Sequence, residues 1–118
     1  ILHFGGFKVQ GRGEADARRI LAQALALEEA GCFAVVLECM PPALAAEITA
    51  ALSVPTIGIG AGAACDGQVL VMHDILGWGK TRFAKTYADA RGAMAGAFGE
   101  YVREVKSGEY PAAEHQYE

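Results

Sequence analysis

The stretch Phe33–Gly62, FAVVLECMPPALAAEITAALSVPTIGIGAG, decides the fold. It opens with consecutive apolar residues, Phe33 to Leu37, that run straight into a carboxylate, Glu38. That run is too short and too rich in valine for a helix, and its lack of polar alternation predicts a strand covered on both faces. PPALAAEITAALSVP then starts with proline at the first-turn position. It spaces Leu44, Ile48, Ala51 and Leu52 on one face and ends before Pro55, which predicts a helix. TIGIGAG reads as a second short apolar strand dissolving into glycines. Strand, helix and strand in quick succession predict an α/β fold with a parallel sheet.

Working outward, ADARRILAQALALEEAG places Ala17, Ile20, Leu21, Ala24 and Leu27 on one helical face and stops at Gly31, a residue favoured just past a helix end. On the other side, QVLVMHD predicts a third strand around Val69 to Met72, again finishing in polar residues. From Phe83 to Val105 the apolar positions Phe83, Tyr87, Ala90, Met94, Ala97, Tyr101 and Val105 recur every three or four residues. Gly92, Gly96 and Gly99 weaken a single long helix, so two helices joined near Arg91 and Gly92 are expected, with the stripe as core or subunit interface. The tail SGEYPAAEHQYE is polar and punctuated, and is expected to be irregular. Three parallel strands cannot complete a sheet, because the outer ones need neighbours for their hydrogen bonds. The chain also opens ILHFGG, with no Met and no capping or turn residue ahead of its apolar start. A fragment of a longer protein is expected.

Composition narrows the partners. At 118 residues, with 53% hydrophobic and 20% charged residues, the chain fits one globular domain of modest size. Fourteen acids against ten Lys and Arg give a formal charge of -4, so no broad basic field exists to attract nucleic acid or an anionic membrane surface. No apolar run approaches the roughly 18 to 20 residues that span a bilayer, and nothing reads as a basic-then-apolar leader. Cys32, Cys39 and Cys65 are odd in number and lack C-x-x-C spacing, which predicts free thiols in a reducing compartment. A cytoplasmic protein is expected.

In parallel α/β folds, and above all in barrels, reacting groups gather where strands end. Glu38, the glycines Gly60 to Gly62 and the pair His73–Asp74 each stand at such an end. Leu37 is then the last core residue and Glu38 the first presented to a site, with Pro41 and Pro42 fixing the backbone beyond it. A half-enclosed carboxylate binds its proton more tightly than a solvated one, which suits proton abstraction near neutral pH. Pairing of Glu38 with a cation elsewhere in the fold is the alternative. IGIGAG lacks the full G-x-G-x-x-G and G-x-x-x-x-G-K-[ST] patterns, so a tight turn giving the backbone close access to the site is favoured over a phosphate loop. His73 is a candidate general acid or metal ligand and Asp74 a candidate ligand, each with a hydrogen-bonded structural role as the alternative. Lys8 and Arg12, in GGFKVQGRG, are candidate anion contacts or solvated loop cations.

Taken together, FGGFKVQGRG, ALALEEAG, VLECMP, IGIGAG, DGQVLVMHDILG and SGEYP resemble, in the same order, the C-terminal half of the ketopantoate hydroxymethyltransferase family. The resemblance covers nearly all of this chain and about half of such an enzyme. It implies a (β/α)8 TIM barrel of the phosphoenolpyruvate/pyruvate type, with residues 1–118 as the C-terminal part of that single domain: its last strands and the helices after them. It implies transfer of a hydroxymethyl group from 5,10-methylenetetrahydrofolate to 3-methyl-2-oxobutanoate, giving 2-dehydropantoate for pantothenate biosynthesis. It further implies Mg2+ to hold the keto acid and polarise its carbonyl, and Glu38, in the glutamate position of the LEC-P motif, as proton acceptor. The family's acidic Mg2+ ligands and its keto-acid-binding serine and lysine lie in the half not represented here, so neither Asp74 nor Glu47 is promoted in their place. GWGKTRFAK, around Trp78, is shorter than the family's usual loop. Small-molecule substrates and a homo-oligomer are further implications of the resemblance. The competing functions are another Mg2+-dependent, enolate-forming lyase or mutase of the same barrel superfamily, and an inactive fragment that only oligomerises.

Overall fold

A computed structural model describes residues 9–79 and 81–117. The chain divides into two compact units, Ile1–Leu70 and Val71–Glu118.

In the first unit, helix α1 (Glu14–Glu29) is followed by strand β1 (Val35–Glu38), helix α2 (Pro42–Ala51), strand β2 (Thr56–Ile59) and strand β3 (Gly67–Gln68). The strands form one parallel sheet in the order β1-β2-β3, as the alternation of elements predicted. Val35 stands opposite Thr56 and Glu38 opposite Ile59, while Ile57 stands opposite Gly67. Successive strand residues point to opposite faces. Val35 and Leu37 therefore face one side, where they join Ala24, Leu44, Ala45 and Ile48 in the core, with Ala17, Ile20 and Leu21 packed against it. The packed stripe of α1 ends at Ala24, and Leu27, one turn further, is exposed, as is Ala51 on α2.

The strand predicted to be covered on both faces is covered on one. Val36 and Glu38 are exposed, Val36 to 59%, and Phe33 just before the strand is 90% exposed. All the helical cover in this unit comes from α1 and α2, on the side of Val35 and Leu37. The other face keeps its apolar composition with no helix of this unit over it among the described residues: Val36 is exposed and Ile57 half-buried, while Ile59 at the end of β2 is buried.

The third strand also departs from expectation. It is two residues long and ends at Gln68, and Met72 belongs to a one-turn helix, α3 (Met72–Ile75), in the second unit. The amides of Asp74 and Ile75 both donate to the Val71 carbonyl, which draws the backbone into a helical turn closed by Gly77 at φ 81°.

The second unit continues with one helix, α4 (Ala90–Ser107), where two were expected. The glycine placed at a joint instead lies in the first turn, where the Gly92 amide donates to the Asp89 carboxylate at 2.8 Å. Phe83 and Tyr87 precede the helix, and Gly96 and Gly99 lie inside it with open space around them. Gly108, at φ 78°, closes it. Arg103 ties the last turns to Glu100 and Glu109 at 2.8 Å, and Tyr101 meets Tyr110 edge-on at 5.5 Å. Met94, Tyr101 and Val105, expected in a core or subunit interface, are exposed in this chain, as is Phe98 beside them. The tail is irregular apart from a 3-10 turn at Ala113–His115. No helix among the described residues is long and apolar enough to cross a membrane.

Candidate functional site

Glu38 closes β1 and shares its face with Val36 and, across the register, with Ile57 and Ile59. It is thus a carboxylate on an aliphatic surface. The enclosure expected around it is not supplied by the described residues, since Glu38 itself is exposed.

The segment just beyond Glu38 is tightly held. Cys39 adopts the left-handed conformation, φ 53°, which side-chain-bearing residues rarely take. Its amide donates to the Ile59 carbonyl at 2.9 Å, and its own carbonyl accepts from the Gln10 amide at 3.1 Å. Met40 is buried in the core, and Pro41 and Pro42 lead into α2 with Pro41 at φ -59°. Burial, and secondarily the Glu38 carboxylate, push the Cys39 thiol up from its ordinary value, so it stays protonated near neutral pH. All three cysteines are free, as expected.

Glycines stand on both sides of the proline pair. A Cβ on Gly11 would collide with Leu44 Cδ2 and lie 3.7 Å from Pro41, and a Cβ on Gly62 would lie 2.7 Å from the Pro42 Cβ. Both glycines have positive φ, 76° and 87°. The Gly11 amide donates to Asp16 at 2.7 Å. The Arg19 guanidinium, and then that amide, hold the Asp16 carboxyl below its usual range. On the other side Gln68 Nε2 donates to the Gly62 carbonyl at 2.9 Å. IGIGAG therefore forms a tight strand-to-loop turn packed against the loop after Glu38.

Of the remaining candidates, His73 and Asp74 sit on the one-turn helix α3 of the second unit and not at the end of a strand. The His73 ring packs against Trp78 at 5.7 Å, and its carbonyl accepts the amides of Trp78 and Gly79. Asp74 accepts the Thr81 hydroxyl at 2.7 Å, the structural role weighed for it. Arg12 and Glu47 are exposed, and Lys8 falls outside the described residues. Among the described residues no group of three or more His, Cys, Asp or Glu could hold a metal ion.

Two ties around the site escaped the sequence reading. Thr56, fully buried, shares hydrogen bonds with Thr49 at 2.8 Å and with Asp66, whose carboxylate takes the Thr56 amide at 2.8 Å and its hydroxyl at 3.1 Å. Glu28, near the end of α1, accepts the Ser53 amide and hydroxyl and the Val54 amide at 2.7, 2.8 and 3.0 Å. The pair Asp66–Gly67 is a turn signal that marks the first tie. Nothing in the local pattern marks the second, because its partners are 25 and 26 residues apart.

Comparison with known proteins bears on the whole chain. A family model described as ketopantoate hydroxymethyltransferase matches residues 1–113. A 3-methyl-2-oxobutanoate hydroxymethyltransferase of Nitratidesulfovibrio vulgaris is 55% identical over 120 residues, 99% of this chain and 39% of the relative. That of Geobacter sulfurreducens is 54% identical, covering 99% of this chain and 45% of its own. That of Pectobacterium carotovorum is 55% identical, covering 97% and 44%. The chain thus spans less than half the length of these curated relatives. With a match extending from its first residue to Ala113, the chain belongs to the ketopantoate hydroxymethyltransferase family.

Proposed function

We propose that this chain is the C-terminal part of a (β/α)8 barrel enzyme that hydroxymethylates 3-methyl-2-oxobutanoate, and that Glu38 is its general base. One observation carries the assignment: in a chain of this family, a carboxylate stands at a strand end on the sheet face that α1 and α2 leave open. In a barrel that face is the interior, and its strand ends carry the chemistry.

The C3–H of the keto acid lies next to a carbonyl, so removal of its proton leaves a delocalised enolate. Glu38 accepts that proton. The enolate carbon bonds to the methylene carbon of 5,10-methylenetetrahydrofolate as one of that carbon's two C–N bonds breaks. Water replaces the second nitrogen and leaves its oxygen on the carbon as the hydroxyl, and the two freed nitrogens of the departing tetrahydrofolate take up the proton held by Glu38 and one proton from the water. The described residues do not fit a Mg2+ site, so no step of this chain is derived through the metal, whose ligands the proposal assigns to sequence outside this chain. A cytoplasmic address and a homo-oligomer belong to the same proposal. The uncovered stripe of Met94, Phe98, Tyr101 and Val105 supports further packing against the rest of the protein or a second copy.

The test uses a protein of the relatives' full length that carries this chain. Exchange of the C3 proton in deuterated water, without folate, is followed by NMR for wild type and Glu38→Gln. The variant is expected to lose about 100- to 10,000-fold in exchange and in kcat, with keto-acid affinity kept. Exchange at the wild-type rate would sink the assignment of Glu38. Exchange without any folate-dependent product would favour another enolate-forming enzyme of the same barrel type.

A further inference from the structure

We infer that Gln68 is a positioning residue for Glu38, acting through Gly62 and Pro42. The inference rests on the reading of Glu38 as base.

Gln68 ends β3 and stands opposite Gly58 of β2. A Cβ on Gly58 would lie 3.0 and 3.1 Å from the Gln68 Nε2 and Oε1, so the bare glycine is what lets the side-chain amide lie across the middle strand. From there Nε2 donates to the Gly62 carbonyl at 2.9 Å. Gly62, at φ 87°, touches Pro42 so closely that a Cβ would sit 2.7, 3.1 and 3.2 Å from three of its atoms.

Between Pro42 and Glu38 stand three residues, none free to absorb a shift. Pro41 is fixed by its ring and Met40 is buried in the core. Cys39 is held left-handed by the bonds to Ile59 and Gln10. A displacement of Gly62 therefore passes through Pro42 along a stiff segment to the base. Misplacing a reacting group by about 1 Å costs on the order of 100-fold in rate. Gln68 touches neither Glu38 nor, in this reading, the substrate, so its effect is on where the carboxylate stands.

Gln68→Met keeps the length and removes the donor. In the full-length protein carrying this chain, it is expected to lower C3-proton exchange and kcat by about ten- to a hundredfold while keto-acid affinity is kept. Should that variant fold poorly, Gln68→Glu, which also lacks the donor, is read in the same way. The separating measurement is a double-mutant cycle with Glu38→Gln. Positioning through Glu38 predicts no further loss when Gln68→Met is added to Glu38→Gln. An equal loss in both backgrounds would mean general destabilisation and would overturn the inference, as would wild-type exchange in both Gln68 variants. If Glu38→Gln itself exchanged normally, the base assignment would fail first and this inference with it. An inactive Glu38→Gln beside a fully active Gln68→Met would remove the inference alone.

Discussion

Gly62 and Pro42 meet with no room for a side chain between them: a Cβ on the glycine would lie 2.7 Å from the proline Cβ and 3.2 Å from its Cα. Because φ is 87° at Gly62, the substitution Gly62→Ala is opposed by backbone strain as well as by contact. The expected loss is about 1–3 kcal/mol from strain, with overpacking added to it. Gly96→Ala, in the middle of α4 with open space around it, is the control and should gain about 0.5–1 kcal/mol. Denaturant unfolding of the two variants checks both signs. A neutral Gly62→Ala would mean that the two loops are free to part.

Thr56 is fully buried at the start of β2, and its hydroxyl serves both Thr49 and Asp66. Thr56→Val preserves shape and strand preference but leaves both partners one bond short. A loss of about 1–3 kcal/mol in unfolding free energy is expected. The same substitution combined with Thr49→Val should cost less than the sum of the two singles, because each single already removes the one bond the two hydroxyls share. Strict additivity would show that the hydroxyls do not share one bond.

Three carboxylates of the first unit are held below their usual range. The Arg19 bond and the Gly11 amide act on Asp16, the Ser53 hydroxyl and amide on Glu28, and the Thr56 amide and hydroxyl on Asp66. A depressed carboxylate binds fewer protons folded than unfolded, so stability rises with pH across the interval between the two values. These contributions are complete above the unfolded value of about 4 and fade as pH falls through the lower folded ones. The urea midpoint of the chain is therefore expected to be flat near neutrality and to fall below about pH 4. Asp66→Asn should shrink that fall, since one titrating group has gone. A midpoint unchanged at low pH would contradict the folded-state bonds.

The order and direction of the strands were legible because apolar runs, prolines and glycines punctuate the chain between Phe33 and Gly62. The cover of β1 was not, since an all-apolar strand such as Val35–Leu37 reads alike whether its second layer lies in this chain or outside it. Val69 to Met72 misled for a related reason. The Val69 amide still donates to the Gly58 carbonyl of β2 at 3.0 Å, yet the turn closed by Gly77 draws Met72 into α3, where the amides of Asp74 and Ile75 meet the Val71 carbonyl. Around the candidate site, the strand-end position of Glu38 was legible from the apolar run that precedes it. The left-handed Cys39 was not, because a thiol residue carries no signal for positive φ as glycine or asparagine would.

Val36 and Leu37 are neighbours on β1 with opposite surroundings, and they offer a test of the barrel that does not depend on catalysis. Leu37 is in the core between the sheet and its helices, so Leu37→Ala should cost about 2–5 kcal/mol both in this chain and in the full-length protein. Val36, on the face shared with Glu38, is 59% exposed here. Val36→Thr keeps the branched shape and strand preference while adding a hydroxyl. In this chain alone it should change stability by less than about 0.5 kcal/mol. If that face becomes a barrel interior in the longer protein, the same hydroxyl is buried among aliphatic side chains and the cost should rise to about 1–3 kcal/mol. Chemical denaturation of both variants in both lengths is the measurement. A Val36→Thr effect that stayed near zero in the full-length protein would leave the Glu38 face in solvent, and a base standing on it would lack the enclosed site that the proposed chemistry requires.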